Sequence, residues 1–440
     1  MKTFRHPLRR CFERLRASYS KRADRVYDSL TKMKAVGHAA LLPRKPSVLF
    51  VGYAEAALGI GESFRNLLSA LDAAGLSFSI YPFSRNVETR LIGPFLEHRY
   101  DLVAPHDITV AYMAVDQLPY CFEELNLQFA GSGYTILQTF WELPGAPQAW
   151  LPLLEKVDEL WVPNTFVADA FRRIFERTIT IIPTCVEVLK PKDTNLRQSM
   201  GLESGRFYFL YSFDYYSGSA RKNPLGVILA FAYAFPDLET NVGLVIKTTG
   251  PGELDPTVFQ LLENFARVDR RVKVLNRFMA RDQMVALLDV CDCYLSLHRS
   301  EGFGLGMAEA MALHKPVVGT DFSGNKEFLS EETGFPVPYV MRPLMPGEYP
   351  MGEGESWAEP DLEAAIDRMR SVFRDPREGR ARAQRGADLI ARRNSAEVLA
   401  GIVDKRLREI RRTKGFAEPA YPGPVSLGWQ PSELNPYPPE

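Results

Sequence analysis

The run Ser300-Glu-Gly-Phe-Gly-Leu-Gly-Met-Ala-Glu309-Ala-Met joins two carboxylates, eight positions apart, to three glycines. Glycine lets backbone approach a ligand where a Cβ would intrude, and the first amides of a helix are donors aimed at an anion. With a helix predicted over Leu305–Leu313, its first amides would face an anion such as a diphosphate. A carboxylate beside phosphate adds repulsion unless it accepts hydroxyl hydrogen bonds, so Glu301 in the loop and Glu309 in the helix point to a polyol, a sugar or a ribose. Glu309 by itself would read as a carboxylate favoured by the helix dipole. Its company is what turns the reading to chemistry. Cations to match a diphosphate stand at Arg221-Lys222, before Asn223-Pro224, and at Lys247, at the end of a predicted strand. Each has a plainer reading as a solvated charge. Gly59-Ile-Gly61 is a second glycine turn, weak alone because any tight strand-to-helix turn wants glycine.

These residues need a scaffold of strands whose ends hold loops. Ser47–Val51 reads as a buried parallel strand, followed by a glycine loop to Gly61 and helical spacing over Glu62–Ala73. Further strand-like runs fall at 108–114, 134–138, 159–162 and 178–182. The alternation restarts at 207–211 and continues through 243–247, 272–275, 293–297 and 316–319, with Lys190–Ser204 polar enough to be a linker. The fold class is therefore α/β, with two Rossmann-like domains facing one another across a cleft, over about 46–200 and 205–400. Residues 401–440 add a helix and a Pro-rich tail.

Length and composition agree. At 440 residues the chain exceeds the size at which one core usually stops growing, and 46% hydrophobic with 24% charged residues is a globular balance. No run is long and apolar enough to span a bilayer, and five sparse cysteines fit a reducing compartment, so a cytoplasmic location is expected. Residues 1–45 hold 13 Lys and Arg against three acids, a balance of +10 that leaves −11 for the remainder of a chain of net charge −1. An acidic body disfavours nucleic acid as a partner, whereas the arm could meet an anionic membrane. Phe4, Leu8, Cys11, Phe12, Leu15 and Tyr19 recur there at helical spacing among arginines. An NAD-dependent oxidoreductase would need a third glycine where Gly59-Ile-Gly61 is followed by Arg65 and Asn66. No cofactor and no resident metal are expected. There is no Asp-x-Asp to hold a divalent ion against a diphosphate, so cations and a helix N-terminus must serve.

At Glu301 and Glu309 the sequence resembles glycosyltransferase family 4, the retaining GT-B enzymes with an E-x7-E motif. The resemblance extends to Phe213-Asp214, Arg221-Lys222-Asn223-Pro224, Lys315-Pro316-Val317, Ser323-Gly324-Asn325 and Trp357-Ala-Glu-Pro-Asp361. It implies transfer of a hexose-type sugar, with retention, from a nucleotide diphosphate sugar to a glycan or lipid-linked acceptor in cell-surface polysaccharide assembly. By that resemblance Glu301 holds the transferred sugar, Glu309 the ribose, Gly304, Leu305 and Gly306 the diphosphate, and Asn325 belongs to the donor site. Arg221 and Lys222 neutralise the leaving group, and Gly59 and Gly61 close on it. The sequence departs from the family at Tyr216, where many members carry an arginine, leaving Arg221 or Arg277 to substitute. Thr139-Phe-Trp-Glu-Leu stands where many have a histidine, making Glu142 a candidate acceptor contact and Trp141, with Trp150, a candidate stacking surface, or ordinary packing. A GT-B nucleotide-sugar epimerase or a catalytically inactive sugar-binding subunit are the alternatives; product analysis and donor turnover without a partner separate them.

Overall fold

The computed structural model describes residues 45–87, 91–101, 106–125, 133–188 and 196–419. The expected amphipathic arm, all but Lys45, and the tail beyond 419 lie outside the described residues.

Two six-stranded parallel sheets carry the architecture, as the alternation of strands and helices implies. In the first, β1 (Lys45–Gly52), β2 (Phe78–Pro82), β3 (His106–Tyr112), β4 (Tyr134–Gln138), β5 (Glu159–Val162) and β6 (Thr178–Ile181) line up in the order β2-β1-β3-β4-β5-β6. Successive side chains alternate between faces. Thus Leu49 and Val51 enter one apolar cluster while Val48 and Phe50 enter the other, and all four are fully buried. Helices α1 (Gly59–Ala73) and α2 (Thr165–Arg172) belong to this unit.

The second sheet has the order β12-β11-β10-β7-β8-β9, from β7 (Phe207–Asp214), β8 (Val242–Thr249), β9 (Val272–Asn276), β10 (Cys293–Ser296), β11 (Val317–Thr320) and β12 (Phe335–Val337). Its helices are α3 (Ser219–Lys222), α4 (Pro224–Ala234), α5 (Pro256–Val268), α6 (Arg281–Val290) and α7 (Leu305–Ala312). The chain lays down β7 to β9 on one side, then returns to place β10 to β12 on the other. Ligands bind outside the carboxyl ends of strands at such a reversal. The loops after β7 and β10, the two flanking strands, carry Lys222 and Glu301.

A hairpin, β13 (Tyr339–Pro343) with β14 (Ser356–Pro360), precedes α8 (Leu362–Arg374), α9 (Pro376–Asn394) and α10 (Ala396–Lys414). The last helix crosses back to the first sheet: Leu399, Val403, Leu407 and Ile410 pack into its core with Phe64 and Leu68 of α1. The first unit is thus completed by residues from the far end of the chain. Two further differences from the sequence reading concern the site. Helix α1 begins at Gly59 rather than Glu62, so Gly59 and Gly61 lie in its first turn and not in the preceding loop. The hairpin, rich in Pro and Gly between its strands, carries no strand periodicity in its sequence.

Candidate functional site

Local sequence explains how the cations reach the cleft. The short helix α3 ends at Asn223, which adopts φ 57° and ψ 53° in the left-handed region that Asn tolerates better than most residues. Asn223 Oδ1 then accepts the Gly226 amide, capping α4, and Pro224 supplies its first residue. Asn223 Nδ2 donates to the Leu297 carbonyl at 2.9 Å, tying this turn to the loop that follows β10.

That loop is fixed residue by residue. His298, fully buried, bridges Ser296 Oγ and Asn325 Oδ1 at 3.0 and 2.9 Å, and burial lowers its pKa, keeping it neutral. Arg299 is held by both oxygens of Glu359. Ser300 donates to the Glu142 carbonyl, the Glu301 amide donates to Ser323 Oγ at 2.7 Å, and Gly324 donates to the Glu301 carbonyl at 2.9 Å. Asn164, the cap of α2, donates to the Gly302 carbonyl across the cleft at 2.6 Å. A Cβ on Gly324 would stand 2.2 Å from that same carbonyl. Gly304, at φ +92°, opens α7, and helix geometry leaves the Leu305 and Gly306 amides without an intrahelical acceptor.

Glu301 is gripped on both oxygens, by Lys222 Nζ at 2.5 Å and Arg221 Nη1 at 3.1 Å. Its side chain is 12% exposed. Burial pushes its pKa up, but the two cations outweigh burial and hold it at about 2. Lys222 is lowered from the usual lysine value by burial and by Arg221, against the pull of Glu301. The structure therefore brings Glu301, Lys222 and Arg221 together. Of the two cations, Lys222 keeps the greater side-chain exposure, 17%. Arg221 is 4% exposed and engages the carbonyls of Ser300 and Ser217 as well as Glu301, so it orients the carboxylate rather than presenting itself to a phosphate.

The remaining candidates differ in how they are held. Glu309 is buried and paired with Arg281 Nη1 at 2.5 Å, while Arg281 Nε reaches Glu62 of α1 at 3.0 Å, bridging the two units. Burial raises the Glu309 pKa, opposed by Arg281. Asn325 is fully buried and bound to His298 and the Thr320 carbonyl; it braces the loop and offers nothing to a donor. Trp141 is 6% exposed, packs edge-on against Trp150 at 4.7 Å, and gives its indole N–H to the Gly145 carbonyl at 2.7 Å. Trp150 in turn stacks on Phe171. Both are core, not a sugar platform. Glu142 keeps 23% exposure, 3.8 Å from Arg221 Nη2. Lys247 lies at the end of β8 as its sequence suggests, donating to Thr249 Oγ1; burial, with Asp214 opposing and Arg277 assisting, brings it down to about 8. A Cβ on Gly61 would meet the Ala56 and Tyr53 carbonyls at 2.6 and 2.8 Å, whereas one on Gly59 meets nothing. Gly61 is thus required by the turn, and only Gly59 is open. Gly306 lies over Tyr294, whose hydroxyl would stand 2.4 Å from an added Cβ.

Sequence reasoning missed Arg281, and also Tyr349, whose hydroxyl donates to Glu142 Oε2 at 2.5 Å. Neither belongs to a spaced motif. Among the described residues no group of three or more His, Cys, Asp or Glu is placed to hold a metal ion, and no helix is long and apolar enough to cross a membrane.

Comparison with known proteins bears on the family and the fold. The family model described as "Glycosyl transferases group 1" matches residues 216–342, the stretch that holds Lys222, Glu301 and Glu309. N-acetyl-alpha-D-glucosaminyl L-malate synthase of Bacillus anthracis is 27% identical over 184 residues, a match spanning 42% of this chain and 43% of that protein. Among solved structures, sucrose-phosphate synthase of Thermosynechococcus elongatus superposes with a TM-score of 0.63 at 16% identity, covering 84% of this chain and 100% of that one. Anabaena Alr3699/HepE, in complex with UDP and glucose, gives 0.59 at 14% identity, over 82% and 99%. At such identities the likeness is one of fold. Residues 216–342 thus match the model of the glycosyl transferases group 1 family, and the chain as a whole has the two-domain GT-B fold.

Proposed function

We propose that this protein transfers a hexose-type sugar from a nucleotide diphosphate sugar to an acceptor, with retention of anomeric configuration and without a divalent ion. The observation that carries the reading is Glu301, held by Lys222 and Arg221 in the loop that opens α7, on the strand flanking the sheet's reversal. A carboxylate held at about pKa 2 stays ionised, so it accepts hydrogen bonds from sugar hydroxyls and has no proton to give. The proton of the attacking acceptor hydroxyl must go elsewhere. It passes to the leaving diphosphate as the anomeric C–O bond to phosphate breaks and the new glycosidic bond forms on the same face. The Lys222 ammonium and the amides at the start of α7 stabilise the charge that gathers on the diphosphate. Glu309 takes the ribose by exchanging its Arg281 partner for hydroxyls. The acceptor is a glycan or lipid-linked glycan of a cell-surface polysaccharide, and the basic segment 1–45 brings the enzyme to the anionic cytoplasmic membrane face.

The test is a panel of UDP-, GDP- and ADP-sugars, followed by nuclear magnetic resonance assignment of the product anomer. Glu301→Ala should reduce turnover by about 100-fold or more, because it removes contacts that strengthen as the bond breaks. Wild-type rates in that variant would defeat the assignment, and an inverted product would defeat the mechanism. An epimerase would release no product linked to an acceptor.

A further inference from the structure

The hairpin β13–β14 belongs by sequence to the second unit, yet its Trp357 is buried in the core of the first. Trp357, fully buried, joins the cluster that contains Trp141, Leu143 and Trp150. Tyr349, from the loop between the two strands, lies edge-on to Trp141 at 5.4 Å and to Trp357 at 6.4 Å. Glu355, at the far end of the same loop, accepts the Gly145 amide at 3.1 Å. The same strand is fastened to the catalytic loop: Glu359 binds Arg299 through both oxygens, and the Ala358 amide donates to the Arg299 carbonyl at 3.0 Å. One element therefore grips both the Trp141–Gly145 segment and the residue two places before Glu301. Between those grips the Tyr349 hydroxyl donates to Glu142 Oε2, Glu142 Oε1 faces Arg221, and Arg221 holds Glu301.

Building on the transferase reading, we propose that Tyr349 is a positioning residue: it fixes the Glu142 carboxylate beside Arg221, so that the hairpin clasps the acceptor side of the site while leaving the donor side to α7. A phenol is suited to this task. Its ring is wedged between two indoles, which sets the direction of its O–H, and burial together with the neighbouring Glu142 keeps it protonated as a donor. A hydrogen bond to a charged group is among the stronger ones, and a carboxylate that loses its donor is free to rotate.

Tyr349→Phe keeps the ring packing and removes only the hydroxyl. Two measurements on the full chain judge the proposal. Hydrogen exchange should show the amides of residues 142–146 exchanging about tenfold faster in Tyr349→Phe, with protection in β7, β8 and β10 unchanged. Transfer from UDP-glucose and UDP-N-acetylglucosamine to a panel of methyl glycosides should fall about tenfold in Tyr349→Phe and in Glu142→Gln. It should fall no further in the double variant, while UDP affinity by calorimetry stays within about twofold of wild type. Unchanged exchange at 142–146, loosening spread equally over the second sheet, or losses that multiply in the double variant would overturn it. A wild-type protein that turns over no nucleotide sugar would count against the transferase reading alone, because the exchange experiment judges the clasp without any substrate.

Discussion

Replacing Glu301 by Gln keeps the side chain's shape and removes its charge, leaving Arg221 and Lys222 side by side without their shared counter-charge. The carboxyl is held at about 2 against an ordinary value of 4.5, despite a burial penalty that acts the other way. A depression of about 2.5 units corresponds to about 3 kcal/mol of interaction that exists only when the carboxylate is ionised. The sign follows from linkage. Because the folded pKa lies below the unfolded one, the stabilisation is complete above about pH 4.5 and is lost as pH falls toward 2. Urea unfolding at a series of pH values should therefore place Glu301→Gln about 3 kcal/mol below wild type at pH 7, a size in keeping with breaking a buried ion pair from one side. The difference should narrow steadily between pH 5 and pH 3, where the wild-type carboxylate gains its proton in the unfolded chain. A difference that stays flat through that window, or a glutamine variant as stable as wild type at neutral pH, would show that the two cations do not hold Glu301 as the geometry indicates.

Lys222→Ala should lower turnover by about 100-fold, read in steady-state assays, while Lys222→Arg recovers part of the loss because a cation remains beside the diphosphate. Lys247, brought down to about 8, is charged at pH 7 and neutral at pH 9, so UDP affinity measured by calorimetry should weaken as pH rises through 8, and Lys247→Arg should flatten the profile. EDTA should leave the rate within about twofold, and an activity abolished by chelation and restored by magnesium would reject the metal-independent mechanism. Gly61→Ala should cost about 1–3 kcal/mol in unfolding experiments, since its Cβ meets two backbone carbonyls, whereas Gly59→Ala should be neutral or slightly stabilising at the open start of α1.

What could be read from the sequence follows from how local each signal is. Buried parallel strands such as Val48–Val51 and Phe209–Tyr211 announce themselves as continuous apolar runs, because both faces of the sheet are covered. The glycines around Glu301 and the Asn223-Pro224 turn are likewise local, since one residue's φ or one missing N–H sets the geometry. Contacts between distant segments leave no such trace. Trp141 is amphipathic and adjacent to Glu142, so a sugar-stacking role and a core role look alike until Trp150, Tyr349 and Trp357 close around it. Asn325 carries the right side chain for a ligand, but only the position of His298 shows that its amide is engaged within the loop. Arg281 illustrates the converse: an ordinary helix-start cation by sequence, it stands between two carboxylates from different units only because α1 and α7 face one another.

The return of α10 to the first sheet alters the kind of motion available to the cleft. Two segments of chain, not one, run between the units, and they lie against each other: the Val186 amide donates to the Asn394 carbonyl at 2.8 Å, and Asn394 Nδ2 donates to the Thr184 carbonyl at 2.9 Å. A single linker would let the halves swivel and twist independently. A paired crossing behaves like a door hinge with two knuckles, admitting rotation about one short axis and resisting the rest. The Arg281–Glu62 and Tyr349–Glu142 contacts both join residues of the two units, so rotation about that axis would act on the two together.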